Sequence, residues 1–148
     1  MNVAFDTSVL LGLLDPQDLW HSQSVTLHSS LQTANHSGIY FDCVIAETVS
    51  VATRRLQEKA RIAEIDMLLD RIVTNFPQDS LTWISLDIPA LYSEIIALMR
   101  SSQGELNFND ALIALACRER NVPFIASFDR DFDQVSWIHR LAQPGDLP

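Results

Sequence analysis

Short apolar runs alternate with helical patterns along this chain, and that alternation constrains its fold more than any other feature. Val3-Ala4-Phe5, Ile39-Tyr40-Phe41, Leu81-Thr82-Trp83-Ile84-Ser85-Leu86 and Val122-Pro123-Phe124-Ile125-Ala126 read as four strands. Trp137-Ile138-His139-Arg140-Leu141 is a candidate fifth. Between them, apolar residues recur at helical spacing. A short helix follows Asp6-Thr7-Ser8, a second covers residues 18 to 34, and a third runs from about Cys43 to Lys59 with Asp42 as its N-cap. Another continues to about Phe76, where Pro77 closes it, and Asp87 caps one that reaches about Arg100. The last opens at Asn109-Asp110, and its body Ala111-Leu112-Ile113-Ala114-Leu115-Ala116-Cys117 is apolar on every face, which places it inside. Strands alternating with helices pair in parallel, and such a sheet is covered on both faces. The expectation is an α/β fold with a mainly parallel central sheet of four to five strands flanked by helices.

At 148 residues the chain suits one domain with a single core. No repeat, low-complexity tract or linker divides it, so the domain is expected over residues 1–142, with 143–148 a loosely held tail. No apolar run is long enough to cross a bilayer, and the start, Met1 to Ser8, has no basic region of the signal-peptide kind. A cytoplasmic protein is expected. Cys43 and Cys117 show no CxxC spacing and read as reduced core thiols.

Four acids follow or interrupt these apolar segments: Asp6 after the first strand, Glu47 within a helix, Asp110 at the start of the buried helix, and Asp129 after Phe124-Ile125-Ala126. A carboxylate in such a place is costly unless a cation neutralises it. Lys and Arg total 10 against 19 Asp and Glu, and none of the ten lies within two residues of Asp6, Glu47 or Asp110. A divalent metal answers the need, because hard cations such as Mg²⁺ are held by a few carboxylates with water and phosphate. In parallel α/β sheets ligands bind beyond the carboxyl ends of the strands. Asp6 and Asp129 sit there, and the first turns that carry Glu47 and Asp110 are able to face the same crevice. The net charge of −9 counts against a general nucleic-acid binder. That objection weakens where bound cations return positive charge to the point a phosphate must approach.

Taken singly, each acid has a plainer reading. Asp6-Thr7 is able to cap a helix, Asp110 suits any helix first turn, Glu47 has polar neighbours in Thr48 and Ser50, and Asp129 competes with Asp131 and Asp133. Their conjunction in one order carries the argument. Phe5-Asp6-Thr7-Ser8, Ala46-Glu47, Phe108-Asn109-Asp110-Ala111-Leu112-Ile113-Ala114 and Ser127-Phe128-Asp129-Arg130-Asp131-Phe132 together resemble the PIN-domain nucleases, most of all the VapC toxins of bacterial toxin–antitoxin pairs. The likeness spans nearly the whole chain. It implies that Asp6, Glu47, Asp110 and Asp129 bind Mg²⁺, with Mn²⁺ able to substitute, and that Thr7 or Ser8 and Ser127 orient them. Ser127 stands where the family more often has Thr. The resemblance also implies hydrolysis of RNA by metal-activated water, a small antitoxin with a basic inhibitory segment, and a homodimer paired through helix faces in residues 18 to 34 or 43 to 76.

Asp131 is read as supporting the site, and Arg55 and Arg130 as contacts to RNA phosphates, with Arg54 more simply a solvated residue. A phosphate loop, a GxSxG elbow and any ligand pattern among the four histidines are all absent. The remaining alternatives are a catalytically silent PIN-fold binding module and a PIN nuclease of RNA processing.

Overall fold

Val3, Ala4 and Phe5 are all at most 2% exposed, the burial that an apolar strand acquires only at the centre of a sheet covered on both faces. In the computed structural model, which describes residues 1–148, they belong to β1 (Asn2–Phe5). The sheet is completed by β2 (Ser37–Phe41), β3 (Leu81–Thr82), β4 (Phe124–Ala126) and β5 (His139–Leu141). The spatial order is β3-β2-β1-β4-β5 and every neighbouring pair is parallel. Six α-helices connect and cover the strands: α1 (Thr7–Leu14), α2 (His21–Thr33), α3 (Asp42–Glu58), α4 (Ile65–Asn75), α5 (Ile88–Ser101) and α6 (Phe108–Glu119). This is the α/β architecture that the alternation of patterns predicts.

The order reverses between β1 and β4, and there the register positions the site. Phe5 pairs with Ala126, and the Asp6 amide donates to the Ala126 carbonyl at 3.0 Å. The chain therefore leaves β1 and β4 side by side, carrying Asp6 and Ser127 to one place. Helix α6 is buried continuously from Asp110 to Cys117, as its all-round apolar sequence requires. A smaller apolar cluster, with Leu11, Leu14, Ala52, Leu56, Leu68 and Ile72, joins α1, α3 and α4.

Several local expectations are corrected. The third strand stops at Thr82 rather than Leu86. The reason lies in Asp42, whose Oδ1 accepts from the Ile84 amide at 2.7 Å and whose carboxylate also binds the Ser85 amide and hydroxyl. Amides taken by a side chain are lost to a strand ladder. Asp42 accordingly leaves the N-cap position of α3 to Phe41 and begins the helix itself. Asp87 does stand at the N-cap of α5, but its side chain makes no cap hydrogen bond and pairs with Arg120 at 2.6 Å instead. Trp137, expected in β5, lies outside it, and its indole N–H donates to the Ala114 carbonyl at 2.8 Å. In residues 143–148, Asp146 accepts from the amides of Ala142 and Gln143, and Leu147 packs against the core. Cys43 and Cys117 are free, and burial pushes both thiols up to about 12, which keeps them protonated and unreactive. No helix is long and apolar enough to cross a membrane.

Candidate metal centre

A polar side chain at the end of a buried strand needs hydrogen bonds that the vanished ladder no longer offers. Asp6 finds them on one oxygen. Its Oδ2 accepts from Ser8 Oγ at 2.7 Å, from the Ser8 amide at 3.4 Å and from Ser127 Oγ at 2.7 Å. Ser127 is fully buried, and its hydroxyl oxygen in turn accepts from the Asp129 amide at 3.0 Å. Ser8 Oγ accepts from the Phe128 amide, also at 3.0 Å. Two serine hydroxyls thus join the ends of β1 and β4 and set the backbone on which Asp129 stands.

The other acids are held in a similar manner. Thr7 Oγ1 donates to Glu47 Oε2 at 3.1 Å, tying α1 to α3. Asn107 and Asp110 form a capping box at the start of α6: the Asn107 amide donates to Asp110 Oδ2 at 2.9 Å, and the Asp110 amide to Asn107 Oδ1 at 3.0 Å. Asp129 Oδ1 accepts from the Asp131 amide at 2.9 Å. Each carboxylate is therefore anchored through one oxygen, while Asp6 Oδ1, Glu47 Oε1, Asp110 Oδ1 and Asp129 Oδ2 have no hydrogen-bond partner. Every ion pair in the chain involves other acids.

All four acids line one cleft of about 370 Å³, together with Thr7, Ser8, Asp18, Trp20, Arg54, Arg55 and Asn107. Burial, above all, pushes the Asp110 carboxyl up to about 7. The hydrogen bond from the Asn107 amide opposes that rise, and the charges of Asp6, Asp129 and Glu47 add to it. Asp131 is also raised, first by burial and then by Asp129 and Glu105. Arg54 and Arg55 bring positive charge to the wall of the cleft, yet neither pairs with Asp6, Glu47, Asp110 or Asp129.

No three His, Cys, Asp or Glu side chains are grouped closely enough to enclose an ion by themselves. The donor chemistry nevertheless fits a hard cation of the Mg²⁺ type, which takes one or two carboxylates and completes its shell with water and phosphate oxygens. Four pre-anchored carboxylates with free oxygens, none of them in an ion pair, are such a donor set.

Among the supporting residues named from sequence, Thr7, Ser8 and Ser127 bond directly to the acids, and Asp131 contributes through its backbone amide. Arg55 lies on the cleft wall, paired with Asp18 at 2.6 Å. Arg54 joins it there, whereas Arg130 is exposed and outside the cleft lining. Asn107, Asp18 and Trp20 were missed. Asn107 had a readable signal in its capping-box spacing to Asp110. Asp18 had none, because its partner is 37 residues away.

The sequence profile of the PIN domain matches residues 3–138. No curated protein matches the chain.

Proposed function

The chain belongs to the PIN domain family, whose members are in general nucleases, and on that premise we propose that it is a metal-dependent endoribonuclease. Asp6, Glu47, Asp110 and Asp129 hold Mg²⁺, with Mn²⁺ as a substitute, and RNA phosphodiesters are hydrolysed to leave a 5′-phosphate and a 3′-hydroxyl. The observation that carries this reading is the convergence of four acids from four separate segments, each with one oxygen anchored and the other free.

A bound divalent ion would supply activation of the attacking water and offset the charge of the phosphate. The chain's own residues do the positioning. Ser8 and Ser127 hold Asp6 by Oδ2 and leave Oδ1 as its donor. Thr7 holds Glu47 by Oε2, so Oε1 is available to a cation or to a proton. The Asn107 amide fixes Asp110, and the Ser127 hydroxyl fixes the Asp129 backbone. Carboxylates locked in this way need little reorganisation as the reaction proceeds.

We place the enzyme as the toxin of a toxin–antitoxin pair. The support is electrostatic: a net charge of −9 and four cleft acids that make no ion pair within the chain suit a small antitoxin that inserts a basic segment. Dimerisation is assigned to the α4 face on which Leu69 and Val73, one turn apart, are exposed apolar side chains. Growth arrest on expression, relieved by a co-purifying basic partner, is the expected result for the toxin role.

The nuclease is tested by incubating the protein with total bacterial RNA in Mg²⁺ or Mn²⁺, beside EDTA and Asp110→Asn controls, and sequencing new 5′-phosphate ends. Discrete ends that need both metal and Asp110 are expected. Ends that persist in the Asp110→Asn protein would place the chemistry elsewhere, and no ends under any condition would favour a binding module.

A further inference from the structure

Trp20 stands on the wall of the same cleft and is 40% exposed. Its indole is stacked on Phe128, with ring centroids 4.8 Å apart and planes inclined by 18°, and Phe128 directly precedes Asp129. The Trp20 amide donates to Asp18 Oδ1 at 2.7 Å, while Arg55 reaches Oδ2 of the same carboxylate at 2.6 Å. The Asp18 side chain is 5% exposed and that of Arg55 is 41% exposed. One nearly buried acid therefore fixes both an aromatic plate and a half-open guanidinium. Arg54, whose only ion pair is a long 3.8 Å contact to Glu58, adds a second cation to this wall. The exposed Trp83, by contrast, borders a groove lined by Asp42 and Glu47 with no cation.

We propose that Trp20, Arg55 and Arg54 form a nucleotide subsite, in which the base beside the scissile phosphate stacks on the indole and the guanidinium groups receive the adjoining backbone phosphates. The proposal rests on the nuclease reading for its ligand, single-stranded RNA. Its physical basis is separate. Every base has a π-face, so a fixed aromatic plate holds single strands with little regard to sequence, and neighbouring cations track the backbone. Uncompensated carboxylates repel phosphates, so cations confined to one wall decide on which side of the cleft the strand lies.

The test uses the Asp110→Asn protein, expected to bind without cutting, titrated in Mg²⁺ with a short single-stranded oligoribonucleotide of mixed sequence while tryptophan fluorescence and RNA anisotropy are followed. Addition of Trp20→Ala should weaken binding between about 5-fold and about 150-fold. Addition of Trp20→Phe should keep most of the affinity, because a ring remains, yet remove most of the fluorescence quench. With Asp110 intact, Trp20→Ala should raise KM more than it lowers kcat. A fall in kcat with unchanged KM would show that Trp20 merely buttresses Phe128 and Asp129, and would overturn the subsite. Unchanged affinity in the Ala variant, with cleavage still requiring Asp110, overturns the subsite and leaves the nuclease standing. Weakened binding by a protein that never cuts supports the subsite and removes the nuclease. Circular dichroism establishes that the Ala variant is folded, and the Phe variant gives the answer if it is not.

Discussion

Asp110 is 8% exposed, and its carboxyl is pushed up to about 7, first by burial and further by the charges of Asp6, Asp129 and Glu47. In the unfolded chain it returns to about 3.9. The folded state therefore binds the proton more tightly, and the stability this contributes is fully present below about pH 4 and lost as pH rises through about 7. Metal-free protein should become less stable between pH 5 and pH 8. Asp110→Asn keeps an oxygen for the Asn107 amide but carries no charge at any pH, so it should melt several degrees above the wild type at pH 8. At pH 5 the difference should shrink. Scanning calorimetry in EDTA at the two pH values checks this, and equal melting temperatures at pH 8 would mean that Asp110 is not the strained acid. On the expected outcome, the residue that limits stability without metal is one that the cleft requires for its proposed chemistry.

Helix α1 brings Asp6, Thr7 and Ser8 to the cleft and packs its other face on α2. Gly12 sets that contact, because a Cβ there would lie 2.9 Å from Ser24 Cβ and 3.1 Å from the Trp20 carbonyl oxygen. The second neighbour is backbone and has little freedom to withdraw. In an unobstructed helix Gly→Ala stabilises by about 0.5–1 kcal/mol. Here the crowding should reverse the sign, and Gly12→Ala should cost about 1–3 kcal/mol, read as a lower urea midpoint at unchanged m-value. A midpoint at or above the wild type would show that the two helices separate readily. Helix α3 teaches a related lesson at its N-terminus. Asp42 reads locally as a cap, yet its carboxylate is captured by Ile84 and Ser85, which both frees it from capping and ends β3.

Across the whole molecule, the −9 charge and the unpaired cleft acids predict that cation binding stabilises the fold, since an ion that binds only the folded state shifts unfolding by mass action. Mg²⁺ should raise the melting temperature of the wild type at pH 8 and raise that of Asp110→Asn far less; equal shifts would assign the ions to diffuse acidic surface. Much of this architecture was legible in the chain itself. The alternation of strand and helix patterns, the buried body of α6 and the acids that follow β1 and β4 are local, because burial and backbone period imprint themselves on successive residues. Element ends were less legible: β3 ends early because of a side chain some 42 residues upstream. The assembly of the cleft depends on still longer reaches, with Ser127 bonded to Asp6 across 121 residues, Thr7 to Glu47 across 40 and Arg55 to Asp18 across 37. Such bonds leave no periodicity to read. Which residues are acidic and which segments are buried was thus determined by sequence alone, whereas the oxygens left free and the wall that carries the cations were decided only when the parallel pairing of β1 with β4 and the packing of α1 against α3 brought distant side chains within hydrogen-bonding distance.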